Sequence, residues 1–418
     1  MREMKNSGIE WVGDIPKSWD TMANKYVMTK LKHINPVYQG EDILSLSMNG
    51  VIVRDLDAGG KMPSSFNGYQ TLYIGNLLMC LFDYDVTPRC IGLIKKEGVT
   101  SPAYSQFVMK DGFSTNYYYY YYLMVDHTKA LLHRAKNLRH SFTEDQLGAI
   151  AVPVPCLNEQ VMISNYLDYK CAKIDGLSAD IQTGIKMLEA YKRSVITEAV
   201  TKGLNPEAEM KGSGIEWVGE IPSHWHIHPV YYYFGERKNK NYRLQEQNLL
   251  SLSYGKIIRK DINASGGLLP ASFNTYNIVE AGDIIIRPTD LQNDKKSLRT
   301  GLATERGIIT SAYIDLMPRR DISSEYFHYL LHSYDIQKVF YNMGNGVRQG
   351  LNFREFSKLM VIEPPLEEQK EIVDCLNQKC SEIDTIIHQK KEQLDVLEQY
   401  KKSLIYEYVT GKKEVPAT

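Results

Sequence analysis

Ser7-Gly8-Ile9-Glu10-Trp11-Val12-Gly13-Asp14-Ile15-Pro16 returns as Ser213-Gly214-Ile215-Glu216-Trp217-Val218-Gly219-Glu220-Ile221-Pro222, and a tryptophan follows each copy, Trp19 and Trp225. A repeat of this length decides the architecture before any local motif is read. At the same offset of 206, Leu44-Ser45-Leu46-Ser47 recurs as Leu250-Ser251-Leu252-Ser253, and small insertions then move the offset to about 209. Toward the ends of the halves, Pro155, Leu157, Glu159, Gln160, Ile163, Leu167, Cys171, Ile174 and Asp175 are answered by Pro364, Leu366, Glu368, Gln369, Ile372, Leu376, Cys380, Ile383 and Asp384. The chain reads as a tandem duplication of a unit of roughly 200 residues.

With 418 residues, 43% apolar content and 24% charge, the composition is that of a soluble globular protein large enough for two or more cores. No stretch approaches the ~18 uncharged apolar residues of a membrane span, and Met1-Arg2-Glu3-Met4-Lys5 lacks the apolar run of a secretory signal, so a cytoplasmic location is expected. The cysteines at 80, 90, 156, 171, 375 and 380 form no CxxC pair, which leaves a four-thiolate zinc site without support and predicts reduced, mostly buried thiols. A net charge of −1 argues against a uniformly basic nucleic-acid binder. Residues 363–418 hold 12 acidic and 8 basic groups, however, so the acid excess is concentrated there and basic faces elsewhere stay open.

The expected fold class is α+β: two tandem-repeated globular domains, 1–157 and 206–362, separated by two long helices, 158–205 and 363–418. Short apolar runs at Ile43–Leu46, Leu77–Phe82, Asn248–Leu252 and Asp283–Ile286 predict strands, with turns at Gly59-Gly60 and Gly266-Gly267. In the first helix, positions 167, 171, 174, 178, 181, 185, 188, 192, 195 and 199 read Leu, Cys, Ile, Ser, Ile, Ile, Leu, Lys, Val, Ala. In the second, 376, 380, 383, 387, 390, 394, 397, 401, 404 and 408 read Leu, Cys, Ile, Ile, Lys, Leu, Leu, Lys, Leu, Tyr. Alternating steps of 3 and 4 make a coiled-coil seam, and the polar entries Ser178, Lys192, Lys390 and Lys401 could help set its register. One helix over Asn158–Gly203 would span on the order of 69 Å. Matched seams predict an antiparallel pair with the globular domains at its opposite ends; a parallel or intermolecular pair is the alternative.

Asn35-Pro36-Val37-Tyr38 is similar to the Asn-Pro-Pro-Tyr loop of amino-methyltransferases. It lacks the second proline and any preceding glycine-rich strand-turn-helix, and the other half reads Asn241-Tyr242-Arg243, so it does not support catalysis. Six tyrosines, Tyr117–Tyr122, suggest base stacking. Their counterpart Tyr326-Phe327-His328-Tyr329-Leu330-Leu331 reads as an apolar helix, so packing is the better reading. No GxxxxGK[ST] or HExxH is present and the ten histidines show no metal spacing, so no catalytic site is expected.

One loop reads as a binding element. Residues 344–352, Gly-Asn-Gly-Val-Arg-Gln-Gly-Leu-Asn, combine flexible backbone with Arg348, Gln349 and Asn352, groups suited to guanine and adenine edges. The counterpart around Arg139 keeps the arginine and changes its neighbours. Ser65 and Asn67 against Ser272 and Asn274, and Arg54 against Arg259, follow the same logic. Lys61, Arg89 and Arg287 are further cationic candidates for phosphate or base contact.

The repeated Ser-Gly-Ile-Glu-Trp-Val-Gly-(Asp/Glu)-Ile-Pro-x-x-Trp tag, the Pro-x-Leu-x-Glu-Gln helix entries (Pro155–Gln160, Pro364–Gln369) and the Ile-Asp pairs (Ile174-Asp175, Ile383-Asp384) resemble those of DNA specificity subunits of type I restriction-modification systems. The resemblance covers essentially the whole chain. It implies two target-recognition domains, each reading one half of a split double-stranded DNA sequence, and helices that fix the gap and dock partner subunits. It further implies no catalysis in this chain: adenine methylation and ATP-driven cleavage would belong to modification subunits, two of them, and restriction subunits that bind S-adenosylmethionine, ATP and magnesium. The competing reading is a coiled-coil interaction scaffold without DNA binding, which the near-neutral charge favours; a standalone adenine methyltransferase is third.

Overall fold

A computed structural model describes residues 2–57, 63–135, 140–263, 270, 272–289, 291, 298–343 and 350–416. The expected glycine turns at 59–60 and 266–267 lie outside these residues. The chain divides into two compact units, Met1–Ile181 with Lys391–Thr418, and Gln182–Lys390, so each long helix contributes a part to each unit.

In the first unit, Met4–Asn6 pairs antiparallel with Asp14–Pro16, so the repeated tag is a small hairpin rather than a linker. A four-stranded antiparallel sheet follows, in the order Met28–Leu31, Ser105–Met109, Leu77–Met79, Ile91–Leu93. A separate hairpin joins Leu44–Ser47 to Gly50–Val53. The second unit repeats each part: the tag hairpin Met210–Gly212 with Glu220–Pro222, the sheet Phe234–Glu236, Ile314–Pro318, Ile284–Ile286, Thr300–Leu302, and the hairpin Leu250–Ser253 with Lys256–Arg259.

One helix covers the sheet in each unit, Thr115–His127 in the first and Ser324–Ile336 in the second. Ser114 and Ser323 cap them, each hydroxyl accepting from the N–H three residues on. The tyrosine run is core: Tyr117, Tyr118 and Tyr121 are fully buried, and the Tyr117 hydroxyl donates to the Val409 carbonyl at 2.8 Å. Tyr326 repeats this, donating to Val200 at 3.1 Å. Desolvation raises the pKa of both phenols, which stay protonated donors. These rings are unavailable for base stacking.

The long helices run Leu157–Lys202 and Leu366–Val409. All the seam positions named above are buried or half-buried. In the first unit Tyr166 meets Tyr408, hydroxyl to hydroxyl at 3.3 Å, and Asp175 meets Lys401 at 2.6 Å. In the second unit a Cβ on Gly184 would lie 3.7 Å from Lys390, and Lys192 meets Asp384 at 2.6 Å. As one number rises its partner falls, so the packing is antiparallel in each unit. Two of the polar seam residues, Lys192 and Lys401, thus meet the aspartates of the Ile-Asp motifs, which explains why a lysine is tolerated there.

The helices stop at Gly203 and Gly411, both left-handed at φ +74° and +70°. At Gly411 a Cβ would also come within 2.5 Å of the Pro16 ring and 2.9 Å of Trp19, so any other residue would separate the helix end from the tag. Among the described residues no helix is long and apolar enough to cross a membrane, and the six cysteines are free thiols, four of them buried, Cys375 half-buried and Cys156 exposed.

Candidate nucleic-acid interface

The frame that carries the candidate loops is built from the repeated motifs. Trp19 Nε1 donates to Glu159 at 2.8 Å, and Trp225 Nε1 to Glu368 at 3.1 Å. The adjoining glutamines bridge helix to domain. Gln160 donates to the Pro155 carbonyl at 2.9 Å and accepts from Ser114 N–H at 2.8 Å; Gln369 does the same with Pro364 at 2.8 Å and Ser323 at 2.9 Å. Buried amide groups that satisfy two backbone sites fix the cap of the covering helix against the start of the long one.

Several sequence candidates prove to be parts of this frame. The Arg89 guanidinium donates to Ile91 O at 3.0 Å, Met48 O at 2.6 Å and the Tyr119 hydroxyl at 2.6 Å, tying hairpin, sheet and helix together. Asn352 caps Phe353–Phe356, its side chain accepting from Glu355 N–H at 3.0 Å. Ser65 and Ser272 each accept from the backbone of the asparagine two residues on, at 3.1 Å to Asn67 and 3.3 Å to Asn274. The Asn67 side chain in turn accepts from Tyr38 N–H at 2.8 Å. Asn35 donates to Glu41 at 2.6 Å, so the Asn-Pro-Val-Tyr loop is held by its own neighbours.

The expected equivalence of Arg54 and Arg259 is corrected by register. Arg54 N–H bonds Ile43 O at 2.7 Å and Lys260 N–H bonds Leu249 O at 2.8 Å, so Arg54 corresponds to Lys260. Arg259 ends its strand opposite Leu250, the place that Val53 holds opposite Leu44. A one-residue slip in a strand changes the face, so the two arginines do not share one. Arg259 is paired with Glu305, whose carboxylate raises its pKa while its own is lowered. Arg287 follows Ile284–Ile286, with its N–H on Arg299 O at 2.8 Å. Lys61, Arg139, Arg348 and Gln349 lie outside the described residues.

One exposed group escaped the sequence reading. Tyr254 and Gly255 form the two-residue turn of the second hairpin, both at positive φ, +47° and +77°, and the Tyr254 side chain is 89% exposed. The available signal was Tyr-Gly between two β-type runs. Among the described residues no group of three or more His, Cys, Asp or Glu is placed to hold a metal.

This duplicated α+β architecture with two long helices defines a class of two-domain proteins. A solved chain from work on complex assembly and conformational transition of the type I R-M system matches it with a TM-score of 0.68 over 96% of this chain and 99% of that one, at 12% identity. Residues 302–396 match the family model of the type I restriction modification DNA specificity domain. The chain is 26% identical to the putative type I restriction enzyme MjaX specificity subunit of Methanocaldococcus jannaschii over 69% of its length, and 24% identical to the MjaVIII specificity subunit of that organism over 64%. The alignments span 64% and 63% of those relatives. Over about two thirds of its length the chain is thus similar to type I restriction enzyme specificity subunits, and it shares its fold with the solved chain.

Proposed function

We propose that this chain is the DNA-recognition subunit of a type I restriction-modification complex. It binds a bipartite, asymmetric double-stranded target, one half-site per globular domain. Partner subunits that bind S-adenosylmethionine, ATP and magnesium carry out adenine methylation and cleavage. The observation that carries this reading is the contrast between the repeats. Frame bonds from Trp19, Gln160 and Tyr117 recur at Trp225, Gln369 and Tyr326. Hairpin and loop positions instead diverge, as in Arg54 against Lys260 and Val53 against Arg259. Two readers on one frame suit two different half-sites joined in one polypeptide, with a fixed linker combining their affinities. Exposed apolar groups on the long helices, Met187 and Tyr191 on one and Val396 and Tyr400 on the other, support docking of partner subunits there.

A gel shift with duplex DNA, run with and without a modification subunit across a salt series, tests the reading. Affinity should fall steeply as salt rises, because phosphate contacts release counterions. Binding of protein partners without any DNA affinity would favour the scaffold reading.

A further inference from the structure

The second unit contains a cavity of about 860 Å³ bounded by the turn of its hairpin, the helix Ser324–Ile336 and the long helices. Its lining includes Tyr254, Leu298, His328 and His332. Among the described residues, two imidazole nitrogens there, His328 Nε2 and His332 Nδ1, are buried and have no hydrogen-bond partner. Unsatisfied polar atoms of this kind cost free energy unless something occupies them. In the first unit the group at the place of His328 is met by a side chain of the chain itself.

Strand register and helix register make Leu298 the counterpart of Arg89, Tyr254 that of Met48, and His328 that of Tyr119. In the first unit the Arg89 guanidinium enters this region and donates to Met48 O, Ile91 O and the Tyr119 hydroxyl. In the second unit Leu298 packs toward Gly255, 3.0 Å from where a Cβ there would stand, and its side chain has no donor to offer. The place of the Tyr119 hydroxyl is taken by an imidazole. Burial pushes the pKa of His328 down to about 3 and that of His332 down to about 4, so both rings are neutral near pH 7 and carry an acceptor lone pair. Glu325 and Asp384 line the space together with Lys192 and Lys256, so the lining carries no net charge from these four, and Asp384 is paired with Lys192.

We propose that this cavity binds a guanidinium group supplied from outside the chain, held by the Tyr254 carbonyl and His328 as Arg89 is held by Met48 and Tyr119. The occupant ties the Leu250–Arg259 hairpin to the covering helix, a tie the first unit makes with its own side chain.

Calorimetric titration of the full chain with methylguanidine tests it, with methylammonium and zinc chloride as comparisons. Saturable binding with a dissociation constant on the order of a millimolar is expected for so small a ligand, and at least tenfold weaker binding of methylammonium. Leu298→Arg should abolish the binding and raise Tm, and His328→Phe should weaken it at least tenfold. Acetyl-Gly-Arg-Gly-amide binding in place of methylguanidine would assign the group to a protein side chain. Absence of saturable binding by both guanidinium probes, binding unchanged in both variants, or a response to zinc alone would overturn the proposal.

Discussion

Lys192 Nζ lies 2.6 and 2.7 Å from the two carboxylate oxygens of Asp384, and Lys401 lies at the same two distances from those of Asp175. The residues are equivalent in the repeat, so one pair has been written twice. Each joins a seam lysine of one long helix to the aspartate of the Ile-Asp motif on the other.

These pairs set register more than stability. The carboxylates are about half exposed, which limits each pair to roughly 0.2–1 kcal/mol. Lys192→Glu alone should lower Tm, and adding Asp384→Lys should recover most of the loss. A thermal double-mutant cycle measures this; equal loss in the double variant would remove the pairing from the account.

Gln369 is almost fully buried and satisfies two backbone groups at once. Gln369→Ala orphans Ser323 N–H and Pro364 O and should cost roughly 2–4 kcal/mol in denaturant unfolding. Gln369→Glu keeps the acceptor and loses the donor, so it should fall between.

Tyr117→Phe should cost roughly 1–3 kcal/mol, because it leaves the buried Val409 carbonyl without its donor. A loss of DNA affinity with unchanged stability would instead make the tyrosine run a binding surface.

Asp315 and Asp283 are buried together in the second unit, with Arg237 bonded to Asp283 at 2.7 Å and 3.9 Å from Asp315. Desolvation, then the Asp283 charge, pushes Asp315 up to about 8 from an ordinary 3.8. The folded state therefore favours the protonated form. Its contribution is fully present below pH 3.8 and is lost as pH rises from there through 8. Asp315→Asn should flatten the fall in Tm of the second unit between pH 4 and 8, measured in a buffer series; an unaltered profile would show that Asp315 is ionised when folded.

Much of the frame was legible because its residues repeat. The Trp tag and the Glu-Gln helix entry stood out as repeats without indicating their bonds, which the structure supplies at Trp19 and Gln160, whereas the 3-4 seam indicated a face on which Leu167 is buried. The candidate interface was less legible, since a side chain's partners are set by tertiary approach. Arg89 reads as a surface cation and is a strut between three elements. Arg54 and Arg259 look equivalent until a one-residue register shift separates them. The Asp283–Asp315–Arg237 cluster and the turn at Tyr254 join or expose residues that spacing alone does not single out.

The proposed role of the helix pair as a ruler is open to a deletion test. Deleting four residues, about one turn, from one long helix should change the preferred gap between half-sites or abolish recognition. An unchanged methylated site would contradict the ruler.

The most direct test maps adenine methylation across the genome of cells carrying this chain with a modification subunit, before and after residues 206–362 are exchanged for those of a known specificity subunit. The account predicts a two-part motif with a fixed gap, of which the exchange rewrites one half and spares the other. A motif that survives the exchange intact, or methylation without a two-part motif, would contradict it.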